Sequence, residues 1–295
     1  MFKAIIKSMR PKQWVKNVFM LAALVFDRQL TDINATGKTL LGIFLFCMLS
    51  GSIYLINDVF DKKADQNHPT KKNRPIASGI LPVRTAIFAA VVIVSASLFA
   101  SFYLSTAFGI ISSIYFIMNL AYSFKLKHIP IIDVMVIATG FVLRVAAGVS
   151  LIQVERFSPW LYVVTTLLAL FIGFGKRRAE IVCLSENANQ HRKVLDGYSL
   201  EFLDQLITIV SGTTIVAYSL YTFSAPNLPE NNSMMLTIPF VLYGLFRYLY
   251  LINIKKSGGA PEELILSDRP LQICILLWSI SVLVIFYISG PLPAV

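Results

Sequence analysis

The residues best equipped for chemistry stand together in Asn57-Asp58-Val59-Phe60-Asp61-Lys62-Lys63-Ala64-Asp65, directly after the apolar run 40–56. If the helix of that run continues, Asn57, Asp61 and Asp65 follow one another at one-turn intervals, with Asp58 beside Asp61 on the same side. Three carboxylates on one face repel each other unless a cation sits among them. Carboxylate and amide oxygens at this density suit a hard divalent cation, and Mg²⁺ bound together with a phosphorylated substrate is the usual occupant. A solvated acidic helix end is the plain alternative. The position of the cluster at the mouth of a membrane helix favours the metal. Asn57, Asp58, Asp61 and Asp65 are therefore the expected metal ligands.

Cations lie on the same side of the chain. Arg74, in Asn73-Arg74-Pro75, is a candidate clamp on phosphate, because a guanidinium binds two oxygens at once; a lipid headgroup contact fits its spacing equally well. Lys176, Arg177 and Arg178 are consecutive, so they cannot all face one way on a helix. One or two of them could meet a phosphate, with Glu180 as internal partner or metal ligand. Asp133 enters an apolar run just past the basic turn Lys125-Leu126-Lys127-His128-Ile129-Pro130. A carboxylate placed there needs a cation or a metal. Arg144, two to three turns deeper, is expected to make an ion pair or a phosphate contact inside a bundle and not to face lipid.

The elements that must position these groups follow from composition. Of 295 residues, 56% are hydrophobic and 14% charged, against roughly a quarter charged in soluble domains. Several apolar runs approach the ~20 residues that cross a bilayer. The expected fold is all-α: a polytopic membrane protein of about nine transmembrane helices in a single membrane domain, residues 1–295. The first span ends near Leu30, after the interfacial Trp14. The others cover about 40–59, 85–105, 108–124, 131–151, 159–175, 203–223, 235–254 and 271–288. The stretch 61–84 holds His68-Pro69, Arg74-Pro75, Ser78-Gly79 and Pro82, which predict turns, and 181–201 reads as partly helical. With the N-terminus in the cytoplasm, 21 of the 26 Lys and Arg fall on the cytoplasmic side and three (Arg28, Lys38, Arg156) outside. That asymmetry predicts a cell-membrane protein whose working loops, about 57–84, 122–133, 175–203 and 255–270, are cytoplasmic.

Other classes are disfavoured. Cys47, Cys183 and Cys274 are far apart, as are His68, His128 and His191, so a zinc site is not expected and the thiols read as inert. Residues 1–10 lack the apolar core and cleavage site of a secretory signal. No soluble domain presents a nucleic-acid surface. A transporter would concentrate its ionisable groups near the midplane, where only Arg144 and Arg247 support it. A homo-oligomer is compatible with the sequence.

Taken together, these residues resemble the UbiA superfamily of intramembrane prenyltransferases, whose signature Asn-Asp-x-x-Asp-x-x-x-Asp is matched by Asn57, Asp58, Asp61 and Asp65. The family's second motif, Asp-x-x-x-Asp, is half present: Asp133 stands there, but the fourth position on is Ile137. Further stretches are similar to the decaprenyl-phosphate phosphoribosyltransferase branch: Arg10-Pro11-Lys12-Gln13-Trp14-Val15-Lys16-Asn17, Ser158-Pro159-Trp160, Lys176-Arg177-Arg178-Ala179-Glu180, residues 258–266, Asp268-Arg269-Pro270, and Asp133 with Gly140 and Arg144. The resemblance implies that a water-soluble donor, 5-phosphoribosyl 1-diphosphate, is held through Mg²⁺ at the first motif, with Asp58, Asp61 and Asp133 catalytic. The acceptor it implies is a polyprenyl phosphate. The substrate contacts it implies are Lys12, Lys16, Asn17, Asn57, Arg74, Tyr122, Lys127, Arg144, Lys176, Arg177, Arg178, Glu180 and Tyr198. An ordinary UbiA-type transfer of a prenyl group to an aromatic ring is the nearest competing expectation.

Overall fold

A computed structural model describes residues 1–67, 71–154, 158–184, 193–225, 228–255, 264 and 267–287. His68, His191, Arg156 and most of the stretch 258–266 lie outside these residues, as does the side chain of Cys183. The described residues are helical, with turns and no strand. Among the described residues, eight helices are long and apolar enough to cross a membrane.

The long helices are α3 (Ile33–Phe60), α5 (Val83–Leu104), α6 (Thr106–Phe124), α7 (Ile132–Val149), α8 (Trp160–Leu184), α9 (Leu200–Ser224), α10 (Ile238–Asn253, extended by the 3₁₀ turn Ser233–Thr237) and α11 (Arg269–Tyr287). Short helices are α1 (Phe2–Ser8), α2 (Ala22–Phe26) and α4 (Lys62–Gln66). Local sequence sets several starts. The Asp32 carboxylate accepts from the amides of Asn34 and Ala35 at 2.8 and 3.2 Å, capping α3. The Ser199 hydroxyl accepts from Phe202 N–H at 3.1 Å and opens α9. Both satisfy amides that the first helical turn leaves without partners.

The first expected span takes another form. Residues Pro11–Leu21 form a 3₁₀ helix, followed by the five residues of α2. The reason shows in its burial, which repeats every three residues: Asn17 and Met20 are buried, whereas Lys12, Val15 and Val18 are exposed. With three residues per turn, side chains at i and i+3 eclipse, and a narrow stripe packs on α3. Hydropathy alone cannot separate this from an α-helix of the same composition.

The chain divides into two compact units. The first comprises Met1–Val25, Gln29–Lys125 and Leu143–Val154; the second comprises Phe26–Arg28, Leu126–Val142 and Glu155–Val295. Within the first, α3 is the central helix: 61% of its span is buried, against 17% for α5. Phe46, Leu49, Phe108, Tyr115, Met20 and Leu151 form its main core. Gly148 permits one of the close approaches, since a Cβ there would collide with the backbone carbonyl of Met20. Small residues serve this purpose where lipid removes the hydrophobic drive and packing holds helices together. Within the second unit, α8 packs on α9 and α10 on α11, around Phe171, Phe174, Leu203, Ile207 and Tyr248.

Candidate functional site

The acidic stretch lies in the first unit, where α3 gives way to α4. Helical hydrogen bonding runs through the junction, from Asp61 N–H to Asn57 O at 2.9 Å and from Asp65 N–H to Asp61 O at 2.8 Å. Asp61 itself, with φ −83° and ψ 3°, departs from helix geometry. Asp58 and Asp65, seven residues apart and so nearly in line along the junction, are the acids that converge. Asp58 and Asp65 are buried, at 2% and 4% exposure, while Asn57 and Asp61 are half-buried.

One nitrogen ties the buried pair together. Arg74 Nη1 donates to Asp65 Oδ2 at 2.7 Å and to Asp58 Oδ1 at 3.2 Å. Arg10 Nη2 donates to the same Asp58 oxygen at 2.6 Å, and its guanidinium lies 4.7 Å from the centre of the Tyr54 ring. Arg10 precedes Pro11, which disfavours the right-handed helical region for it, and it adopts a left-handed conformation with φ 53°. That turn between α1 and the 3₁₀ helix brings its side chain to Asp58. Arg74, expected as a clamp on phosphate, here donates to the carboxylates themselves. Arg10 was not among the expected site residues, although it opens the stretch Arg10–Asn17 that carries the resemblance; neither that stretch nor the Arg-Pro step tells of a partner 48 residues away.

Among the described residues, no three His, Cys, Asp or Glu side chains converge closely enough to hold an ion by themselves. The donor chemistry nevertheless fits Mg²⁺, which is ordinarily bound by one or two carboxylates together with water and substrate phosphates. Asp58 and Asp65 are such a pair, and Asn57 and Asp61 stand on the adjoining turn. Metal binding here would require the guanidinium groups to share these oxygens or to shift onto the phosphates.

Asn17 and Arg144 meet deeper in the same unit. Arg144 Nε donates to Asn17 Oδ1 at 2.9 Å, and Arg144 Nη2 donates to the Tyr115 hydroxyl at 2.8 Å. Asn17 Nδ2 in turn donates to Cys47 Sγ at 3.1 Å and Ser50 Oγ at 3.3 Å. Arg144 is buried, as expected for a cation facing the bundle. Its guanidinium lies 4.9 and 5.9 Å from the centres of the Tyr115 and Phe46 rings, whose electron-rich faces attract a cation away from water. Lys12 is exposed on the 3₁₀ helix, while Lys16 and Tyr122 are half-buried.

The second unit holds the remaining expected residues. Asp133, in the first turn of α7, is fully buried. Its Oδ2 accepts from Arg177 Nε at 2.7 Å and its Oδ1 from the Tyr198 hydroxyl at 2.7 Å. Arg177 Nη1 also donates to Glu180 Oε2 at 2.6 Å, which makes Glu180 the internal partner. Burial and the bond to Asp133 push the Tyr198 phenol well above its ordinary pKa, so it remains a protonated donor. Arg178 points elsewhere, donating to Asp204 at 2.5 Å and to the Ile252 carbonyl at 3.3 Å. The basic triplet is thus split by helix geometry. Arg177 and Arg178 meet separate acids, while Lys176 and Lys127 are half-buried.

The UbiA prenyltransferase family model matches residues 18–264. The chain is 34% identical over 290 residues to a decaprenyl-phosphate phosphoribosyltransferase of Corynebacterium glutamicum, covering 96% of this chain and 86% of that protein. It is 33% identical to the protein of that name from Mycolicibacterium smegmatis, covering 93% of this chain and 89% of the relative. Among solved structures, a UbiA homologue from Archaeoglobus fulgidus bound to GPP and Mg²⁺ superposes with a TM-score of 0.73 at 19% identity, over 97% of this chain and 100% of that one.

Proposed function

Since the chain belongs to the UbiA prenyltransferase family, a multi-pass membrane family, we propose that it is a polyprenyl-phosphate phosphoribosyltransferase. It moves the 5-phosphoribosyl group from 5-phosphoribosyl 1-diphosphate to a polyprenyl phosphate of the decaprenyl type and releases diphosphate. The observation that carries this reading is the nearly full-length likeness to relatives named for that activity.

In this reading the donor's diphosphate sits at the α3–α4 junction. Asp58 and Asp65, with Asn57 and Asp61, would hold Mg²⁺, which when bound would supply positive charge to offset that of the diphosphate. Arg10 and Arg74 stand at the same carboxylates and orient phosphate oxygens, a task suited to a planar fork of donors. The bond from the anomeric carbon to the diphosphate oxygen breaks as the lipid phosphate oxygen bonds to that carbon, through an oxocarbenium-like transition state. A phosphate monoester is already anionic near neutral pH, so no strong general base is needed. Catalysis rests on positioning and charge neutralisation. Lys12, Lys16, Lys127 and Lys176 are the candidates for the ribose 5-phosphate and the lipid phosphate. The whole chain works as one membrane domain, with its N-terminus and reacting face in the cytoplasm, as the distribution of Lys and Arg supports.

The test is to incubate purified protein with labelled 5-phosphoribosyl 1-diphosphate, Mg²⁺ and polyprenyl phosphate. A labelled lipid forms, its formation stops with EDTA, and Asp61→Ala abolishes it. A polyprenol lacking the phosphate gives no product. Activity with a prenyl diphosphate and an aromatic acceptor, and none with the phosphoribosyl donor, would overturn the assignment.

A further inference from the structure

The second unit contains a strained turn. Ile131 has a φ of 68°, in the left-handed region where a β-branched residue is an outlier. Such conformations persist only where the surroundings over-determine them, and they gather at functional sites. Here the Ile131 amide donates to the Tyr198 hydroxyl at 2.5 Å, and that hydroxyl donates to Asp133 Oδ1 at 2.7 Å. Arg177 secures the other Asp133 oxygen and is itself only 1% exposed. A second contact lies beside the first. Gly197 lies against Pro130 so closely that a Cβ would collide with the proline ring, which leaves the neighbouring Tyr198 within reach of the turn. The segments 126–131 and 193–199 are thus clamped together by a hydrogen-bonded chain and by the packing of Gly197 against the Pro130 ring.

We propose that Asp133 is a positioning residue and not a metal ligand: through Tyr198 and Arg177 it locks the turn at Ile131 and fixes Lys127 and His128, which precede it. Three observations carry this. Asp133 has 0% exposure, whereas Mg²⁺ keeps several waters and substrate oxygens in its shell. Both Asp133 oxygens are engaged by buried protein donors. The second carboxylate that would complete a metal-binding pair is replaced by Ile137. The inference rests on the reading of Asp58–Asp65 as the metal–diphosphate site and assigns the metal to that motif alone. Lys127 and His128 are then held in a fixed place from which to meet a substrate phosphate.

The test uses full-length protein in detergent. Free Mn²⁺ is measured by electron paramagnetic resonance in the presence of inorganic diphosphate, and amide hydrogen exchange is followed over 126–131. Asp133→Asn and Tyr198→Phe bind Mn²⁺ within about twofold of wild type, while Asp61→Asn loses at least about tenfold. Exchange over 126–131 accelerates about tenfold in both clamp variants, the scale of one lost hydrogen bond, and no further in the double variant. KM for a phosphorylated substrate rises in Tyr198→Phe more than kcat falls. Tyr198→Phe removes only a hydroxyl, so it serves if Asp133→Asn does not fold. A loss of Mn²⁺ affinity in Asp133→Asn equal to that in Asp61→Asn, or unchanged exchange in Tyr198→Phe, overturns the proposal. Unchanged Mn²⁺ binding in Asp61→Asn together with faster exchange in Tyr198→Phe would remove the metal site and leave the clamp standing.

Discussion

Replacing Arg74 by alanine tests how the acidic junction is held together. Its Nη1 bridges Asp65 at 2.7 Å and Asp58 at 3.2 Å, and both acids are buried. A hydrogen bond to a charged partner contributes about 1.5–3 kcal/mol. The contact to Asp65 counts in full; the longer one counts for less, because Arg10 holds the same Asp58 oxygen at 2.6 Å. The Arg74 side chain is 27% exposed, so water screens part of the interaction. About 2 kcal/mol remains after that discount. At about 2–4 °C per kcal/mol in larger chains, Arg74→Ala lowers the midpoint of thermal unfolding by about 4–8 °C. Because a single nitrogen makes both contacts, Arg74→Lys recovers about half of the loss. The assay is detergent-solubilised unfolding at one fixed scan rate, since such transitions are often irreversible. A shift below about 1 °C in Arg74→Ala, or no difference between the lysine and alanine variants, would refute the bridging argument.

Other substitutions probe other contacts. Asn17→Leu removes the acceptor of Arg144 Nε inside the bundle and costs about 1–3 kcal/mol, read as a lower unfolding midpoint; Asn17→Asp, which restores an acceptor, loses less. Gly148→Ala places a Cβ against the Met20 carbonyl and destabilises by about 1–3 kcal/mol, measured in the same assay. Tyr198 has a raised pKa, so the stability it contributes is fully present below the unfolded value near 10 and is lost only as pH rises above it. The difference in unfolding midpoint between wild type and Tyr198→Phe therefore stays constant from about pH 6 to 9. A difference that changes across that interval would contradict the Tyr198–Asp133 geometry.

What the sequence determined by itself is what depends on runs and spacing. Apolar length places the eight long helices, because a bilayer imposes a minimum span that any sequence must meet. α8 runs nine residues beyond the expected end at Gly175, because a charged turn changes the solvent without breaking a helix. The acids of the first motif were legible because four- and seven-residue spacings keep side chains on neighbouring faces. The tertiary structure decided the partners. Asp58 and Asp65 converge on Arg74, while Asp61, where the backbone departs from helix geometry, is only half-buried. Arg10 reaches Asp58 across 48 residues, Arg177 reaches Asp133 across 44, and Arg144 reaches Asn17 across 127. Such pairings follow from how each helix is rotated and how closely small residues let it approach its neighbour. Hydropathy is the same for every rotation, so a linear pattern can name the charged groups of a membrane site without saying which of them meet.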